Sequence, residues 1–134
     1  MSTPTRIHHI GVAVADLDES IRLYSNGLGA QLVHRATNEK EGLEAAFLRV
    51  GDGEIELMSA LREDSPVGKF VAKRGPGLHH VAYAVADLDG ALAEARAAGL
   101  ELIDSEPRVG MHGTRIAFIH PKSLGGVLTE LVET

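Results

Sequence analysis

A chain that writes one motif twice is committed to a fold built from two alike parts. Here "RIHHIGVAVADLD" at residues 6–18 returns as "LHHVAYAVADLD" at residues 78–89. With Ile7 set against Leu78, an offset of 71, eight of the fourteen positions from 7 to 20 are identical. The same offset pairs Ala46-Phe47-Leu48 with Ala117-Phe118-Ile119. The second copy then gains three residues, so "IELM" (55–58) meets "TELV" (129–132) at an offset of 74. Three matches in one order mark a tandem duplication within one domain. Module one covers about residues 5–72 and module two about 76–134, with a hinge near "KRGPG" at 73–77.

Each copy reads the same way locally. "IHHIGVAV" has the alternation of a strand with two unlike faces. "DLDESIRLYSNGLGA" follows, with Asp16 as N-cap and Glu19 three residues on, an Asp version of the capping box. Leu17, Ile21, Tyr24 and Leu28 fall on one helical face, and Gly27 or Gly29 stops the helix. Leu88, Leu92 and Ala95 repeat that face before Gly99. Three strands are predicted after each helix: "AQLVHRAT", "LEAAFLRV" and "EIELMSA", then "ELIDSEP", "TRIAFIH" and "VLTELVE". The expected class is α+β, two tandem βαβββ modules whose helices cover one face of the sheet.

Composition narrows the chemistry. There is no cysteine among the 134 residues, so thiolate metal sites, disulfides and cysteine nucleophiles are excluded. A net charge of -6 and 4% aromatics argue against nucleic-acid binding. No stretch approaches the roughly 20 apolar residues of a membrane helix, and no signal peptide is visible. A soluble, cytoplasmic protein is the expectation.

Strand alternation puts Ile7, His9, Gly11 and Ala13 on one face, with His8, Ile10, Val12 and Val14 on the other. In the second copy His80, Ala82, Ala84 and Ala86 oppose Val81, Tyr83 and Val85. The branched side must pack under the helix. The other carries one histidine followed by small residues, which leaves a concavity. Glu56 and Glu130 stand at matching positions of otherwise aliphatic strands, where an unpaired carboxylate is costly. A lone strand histidine is usually structural, but here both residue types recur in register in both copies. Two imidazoles and two carboxylates suit a borderline divalent ion such as Co²⁺, Ni²⁺, Mn²⁺, Fe²⁺ or Zn²⁺. His8 and His79 lie on the bulky side and read as structural or as supports for the ligands. His34, His112 and His120 have no histidine counterpart in the other copy, so no metal role follows for them.

The whole chain resembles the vicinal oxygen chelate superfamily, whose paired βαβββ modules form an open cup-shaped mixed sheet around one metal. Within it, "REDSPVGKFVAKRGPGLHHVAYAVADLD", "DSEPRVGMHGTRIAFIHPKSLGGVLTELVE" and "HHIGVAVADLDESIRLY" resemble the methylmalonyl-CoA epimerase family. The Asp-Ser-Pro before Lys69-Phe70 and the His-Pro-Lys-Ser loop before Gly125-Gly126 carry that resemblance best. It implies metal ligands at His9, Glu56, His80 and Glu130. One branch of the family carries Gln where this chain has Glu56. That branch also places a glutamate, a proposed base, three residues beyond a Gly. Here Gly42 plus three is Ala45, and Glu44 points to the other face.

What the resemblance implies is interconversion of 2R- and 2S-methylmalonyl-CoA through a metal-stabilised enolate. Glu130 is then the named catalytic carboxylate, with Glu56, a bound water or His112 as other routes for the proton, unless the substrate differs from the family's usual one. Ser65, Lys69, Lys122 and Ser123 are candidate contacts to the acyl-CoA, and a homodimer is implied. The alternatives are a glyoxalase I-type lactoylglutathione lyase or another metal-dependent enzyme of the same superfamily, and then a metal-free drug-binding module. Four intact ligand positions speak against the last.

Overall fold

A computed structural model describes residues 3–134. They gather into two compact units: Ile10–His79, and the chain up to His9 together with His80–Thr134. The first strand, β1 (Arg6–Ala13), contributes its two halves to different units.

In the Ile10–His79 unit, α1 (Leu17–Leu28) is followed by β2 (Gln31–Asn38), β3 (Leu43–Val50) and β4 (Gly53–Ala60), in the spatial order β2-β3-β4-β1. Asp16 accepts the Glu19 amide at 3.0 Å, so the N-cap forms as expected. The reciprocal half of the box is not seen, because the Glu19 carboxylate pairs with Arg22 instead. Leu17, Ile21 and Tyr24 pack with Val12, Val14, Leu48 and Leu57. Leu28, expected on that face, is 73% exposed. Gly29 turns the chain at φ +72, and the buried position passes to Ala30. Ile10 is likewise more exposed than its bulky side implied, while Val12 and Val14 do meet the helix.

Helix α2 (Pro66–Arg74) begins at Ser65 and ends at Gly75, inside the expected hinge. Gly68 has to be a glycine there. A Cβ would come within 2.6 Å of the Glu63 carbonyl.

The other unit carries β5 (Gly77–Val85, from His80 on), α3 (Leu88–Ala97), β6 (Arg108–Val109), β7 (Arg115–Ile119) and β8 (Thr129–Glu133), in the order β1-β5-β8-β7-β6. β5 pairs β8 parallel and β7 pairs β8 antiparallel, so the sheet is mixed. Val85, Leu88, Leu92, Ala117, Ile119 and Leu131 form its core under α3, as the repeat predicted. Truncating the fully buried Leu88 to Ala would cost about 2–5 kcal/mol. The strand expected over "ELIDSEP" is cut down to a single bridge, Leu102 to Ile119. Backbone bonds still run from the His120 amide to Glu101 and from the Ile103 and Asp104 amides to Phe118, but the Asp104 carboxylate takes the Phe118 amide at 2.8 Å and also holds Arg108, so the ladder goes no further. Pairing resumes only at the two residues of β6.

The two units repeat one ion-pair scheme with swapped residues. Arg35 bridges Glu44 and Asp18, and Arg115 bridges Glu133 and Asp89. In both, hydrogen bonds from the arginine to its carboxylates hold the guanidinium proton more firmly than usual. Among the described residues, no helix is long and apolar enough to cross a membrane.

Candidate metal centre

Pairing register fixes which side chains share a face. In one unit Glu130 stands opposite Ala82 on β5 and Phe118 on β7, so it faces the same way as His80 and Ala84. In the other, Glu56 on β4 stands opposite Phe47. The repeat therefore places each glutamate against an equivalent phenylalanine, and both carboxylates are buried. Small residues do occur where a concave face was expected: Ala82 and Ala84 are fully buried beside His80.

Three predicted ligands of the unit holding β8 converge. The Nε2 atoms of His9 and His80 are 3.1 Å apart, and each is 3.1 Å from Oε1 of Glu130. The donors thus form a triangle with three equal edges, on residues no more than 6% exposed. Three donors of these types, brought this close on buried side chains, would suit a borderline divalent ion. The chemistry of the set fits as well. Two imidazole lone pairs and a carboxylate turned on one another in a buried place repel unless protons or a cation lie between them. Burial raises the pKa of Glu130, but hydrogen bonds from His80 and His9 outweigh it and hold the group below its ordinary range. The carboxylate is therefore kept ionised, as a ligand must be.

The remaining histidines separate. His79 packs edge-on against Phe70 at 4.8 Å, His34 stacks on Phe47, and His120 caps a short 3-10 turn (Pro121–Leu124) by accepting the Lys122 amide. His112, which had no counterpart in the first copy, sits with its ring 5.5 Å from His9 and 5.0 Å from His8. Nothing in the periodicity of the sequence marks it, since it rides on the Gly110–Gly113 turn between β6 and β7.

Ala45 is fully buried on β3, across from Ala36 and Met58, and on the same face as Glu56. Glu44 faces away and is held by Arg35 at 2.8 Å. The neighbouring carboxylate thus has a structural task. Of the predicted acyl-CoA contacts, Lys69 and Lys122 are exposed. Ser65 is buried, donating to the Arg62 carbonyl and accepting the Gly68 amide, and Ser123 accepts the Glu101 amide at 2.7 Å. Both hydroxyls already serve the backbone.

Residues 8–118 match the profile of the Glyoxalase/Bleomycin resistance protein/Dioxygenase superfamily. Over 96% of its length the chain is 40% identical to protein YqjC of Bacillus subtilis, covering 91% of that protein. It is 44% identical to the crystal structure of methylmalonyl-CoA epimerase from Mycobacterium tuberculosis, with a TM-score of 0.94 over 99% of this chain and 90% of that one. A methylmalonyl-CoA epimerase solved in complex with methylmalonyl-CoA and NH4+ is 42% identical, with a TM-score of 0.95 over 98% and 96% of the two chains.

Proposed function

We propose, from the premise that this chain belongs to the Glyoxalase/Bleomycin resistance protein/Dioxygenase superfamily, that it is a metal-dependent epimerase acting on methylmalonyl-CoA. The observation that carries the reading is the 3.1 Å triangle of His9, His80 and Glu130. Near-complete likeness to an epimerase holding methylmalonyl-CoA supports the substrate.

Epimerisation breaks the C2–H bond and leaves its electron pair on an enolate. The proton then returns to the other face, and nothing is oxidised or reduced. His9, His80 and Glu130 would hold a divalent ion, which would supply Lewis-acid stabilisation of the developing enolate charge. Co²⁺ is the favoured ion, and Mn²⁺, Ni²⁺ and Zn²⁺ suit the same donors. Glu56 is proposed as a fourth ligand. It is a buried carboxylate at the repeat position of Glu130, on a strand where the register sets it opposite Phe47 as Glu130 is set opposite Phe118.

His9 and His80 orient, and Glu130 both holds the ion and exchanges the C2 proton. Exposed Lys69 and Lys122 are proposed to meet the CoA phosphates, whereas Ser65 caps the helix that carries Lys69 and Ser123 fixes the 3-10 turn that carries Lys122. Incubating metal-loaded protein with methylmalonyl-CoA in D₂O tests the assignment. Deuterium should enter C2. Turnover of a glutathione hemithioacetal without C2 exchange would replace this reading with the glyoxalase one.

A further inference from the structure

The two histidines of the first copy touch each other. His8 Nδ1 lies 2.8 Å from His9 Nδ1, in the buried interior. Its counterpart His79 turns instead to the Phe70 ring. An N···N contact of that length needs one ring to carry its proton at Nδ1 and the other to offer a lone pair. If His9 carries the proton at Nδ1, it donates to His8, and its Nε2 can turn a lone pair to an ion in place of the proton it otherwise shares with Glu130 Oε1. If His8 carries it, His9 is protonated at Nε2 and cannot coordinate. The direction of this one hydrogen bond therefore decides whether the donor triangle has three members or two.

We propose that His8 is a positioning residue that accepts the Nδ1 proton of His9 and so sets the tautomer in which His9 presents Nε2 to a metal, with the His112 ring wedging His8 in place. The inference rests on His9 being a metal ligand, as in the proposed function. The wedge is geometric. His112 stands edge-on to His8, 89° between ring planes and 5.0 Å between centroids, and also lies 5.5 Å from His9. The His8 and His9 rings are themselves crossed at 76°. A ring held on two sides keeps its lone pair on line. Partners of this kind, hydrogen-bonded to the second nitrogen of a ligating histidine, fix both its tautomer and its orientation.

The first histidine of "HH" meets its neighbour's Nδ1 in copy one and packs on the Phe70 ring in copy two. That asymmetry supplies an internal control. Zn²⁺ and Co²⁺ dissociation constants should be measured by chelator competition for wild type, His8→Ala, His8→Asn, His112→Ala and His79→Ala. Nitrogen-detected NMR of the Zn²⁺-loaded protein should then assign the His9 tautomer. His8→Ala is expected to weaken binding about 10–100-fold. His8→Asn, whose amide oxygen falls near the position of Nδ1, should recover most of that loss, and His112→Ala should show a smaller one. His79→Ala should bind as wild type, and the loaded wild type should show His9 protonated at Nδ1.

Equal affinity in wild type and His8→Ala overturns the proposal, as does equal impairment in His8→Ala and His8→Asn, which would make His8 a filler of volume only. Two ions per chain, the second lost in His112→Ala, also overturns it, because the His8-His9-His112 group would then itself be a metal site. A wild type that takes up no metal defeats both this inference and the proposed function. A wild type that binds metal with His8→Ala unaffected defeats this inference alone.

Discussion

His9 and His80 are 71 residues apart in the chain, yet their Nε2 atoms meet at 3.1 Å over a shared carboxylate oxygen of Glu130. That meeting is the product of the duplication. Each copy supplies one histidine from its first strand, and the last strand of the second copy supplies the acid between them. His9→Ala, His80→Ala and Glu130→Gln should each lower bound metal from about one ion per chain to well below it. C2 exchange should fall by at least about 10²-fold, as loss of a Lewis-acid contribution of several kcal/mol demands. Metal analysis and deuterium incorporation on the same samples check both.

Glu56 tests whether the acid of the first copy serves as well. Glu56→Ala should weaken metal binding, whereas Glu56→Gln, keeping a carbonyl oxygen, should retain more of it. The ordering Glu, Gln, Ala in chelator competition is the expected outcome. Equal affinity in all three would remove Glu56 from the ligand set.

Ala45 marks where a base was anticipated and none stands. It is fully buried between Ala36 and Met58. Ala45→Glu should destabilise the protein by about 2–4 kcal/mol, the cost of crowding and of burying a carboxylate without a built partner. Denaturant titration reads the cost. A parallel exchange assay shows whether the added carboxylate speeds C2 proton removal in the surviving fold.

Ser65 separates substrate binding from capping. Ser65→Ala should cost about 1–2 kcal/mol of stability, as loss of an N-cap does, and leave KM for methylmalonyl-CoA unchanged. A raised KM at unchanged stability would return Ser65 to the substrate.

Acid should act through Glu130. Its folded-state pKa is depressed, so it contributes stability at pH values above its ordinary 4.5, and that contribution is lost as pH falls through the lower folded value. The metal-free wild type should therefore lose Tm steeply below about pH 5, and Glu130→Gln should lose less over the same range.

Much of this was legible in the sequence because a duplication reports on itself. The offset of 71 paired Phe47 with Phe118, and the offset of 74 paired Glu56 with Glu130. In both units the structure sets that phenylalanine directly across from that glutamate. The strand at "ELIDSEP" stops short because the Asp104 carboxylate takes the Phe118 amide after only a few backbone bonds have formed. Leu28 fitted the helical period, but Gly29 redirected the chain before it could pack. His112 lay outside reach altogether, since its place beside His8 follows from a turn and not from any repeat. Ser65 and Ser123 carried the right chemistry for a ligand, but a hydroxyl beside open backbone amides caps them first.

The most direct test is deuterium wash-in at C2 of methylmalonyl-CoA, run with metal-loaded, chelator-stripped and reconstituted protein. Exchange should be rapid in the loaded sample, fall to near background on stripping, and return when Co²⁺ is restored. Undiminished exchange in the stripped protein, or none in the loaded one, would contradict a metal-dependent epimerase.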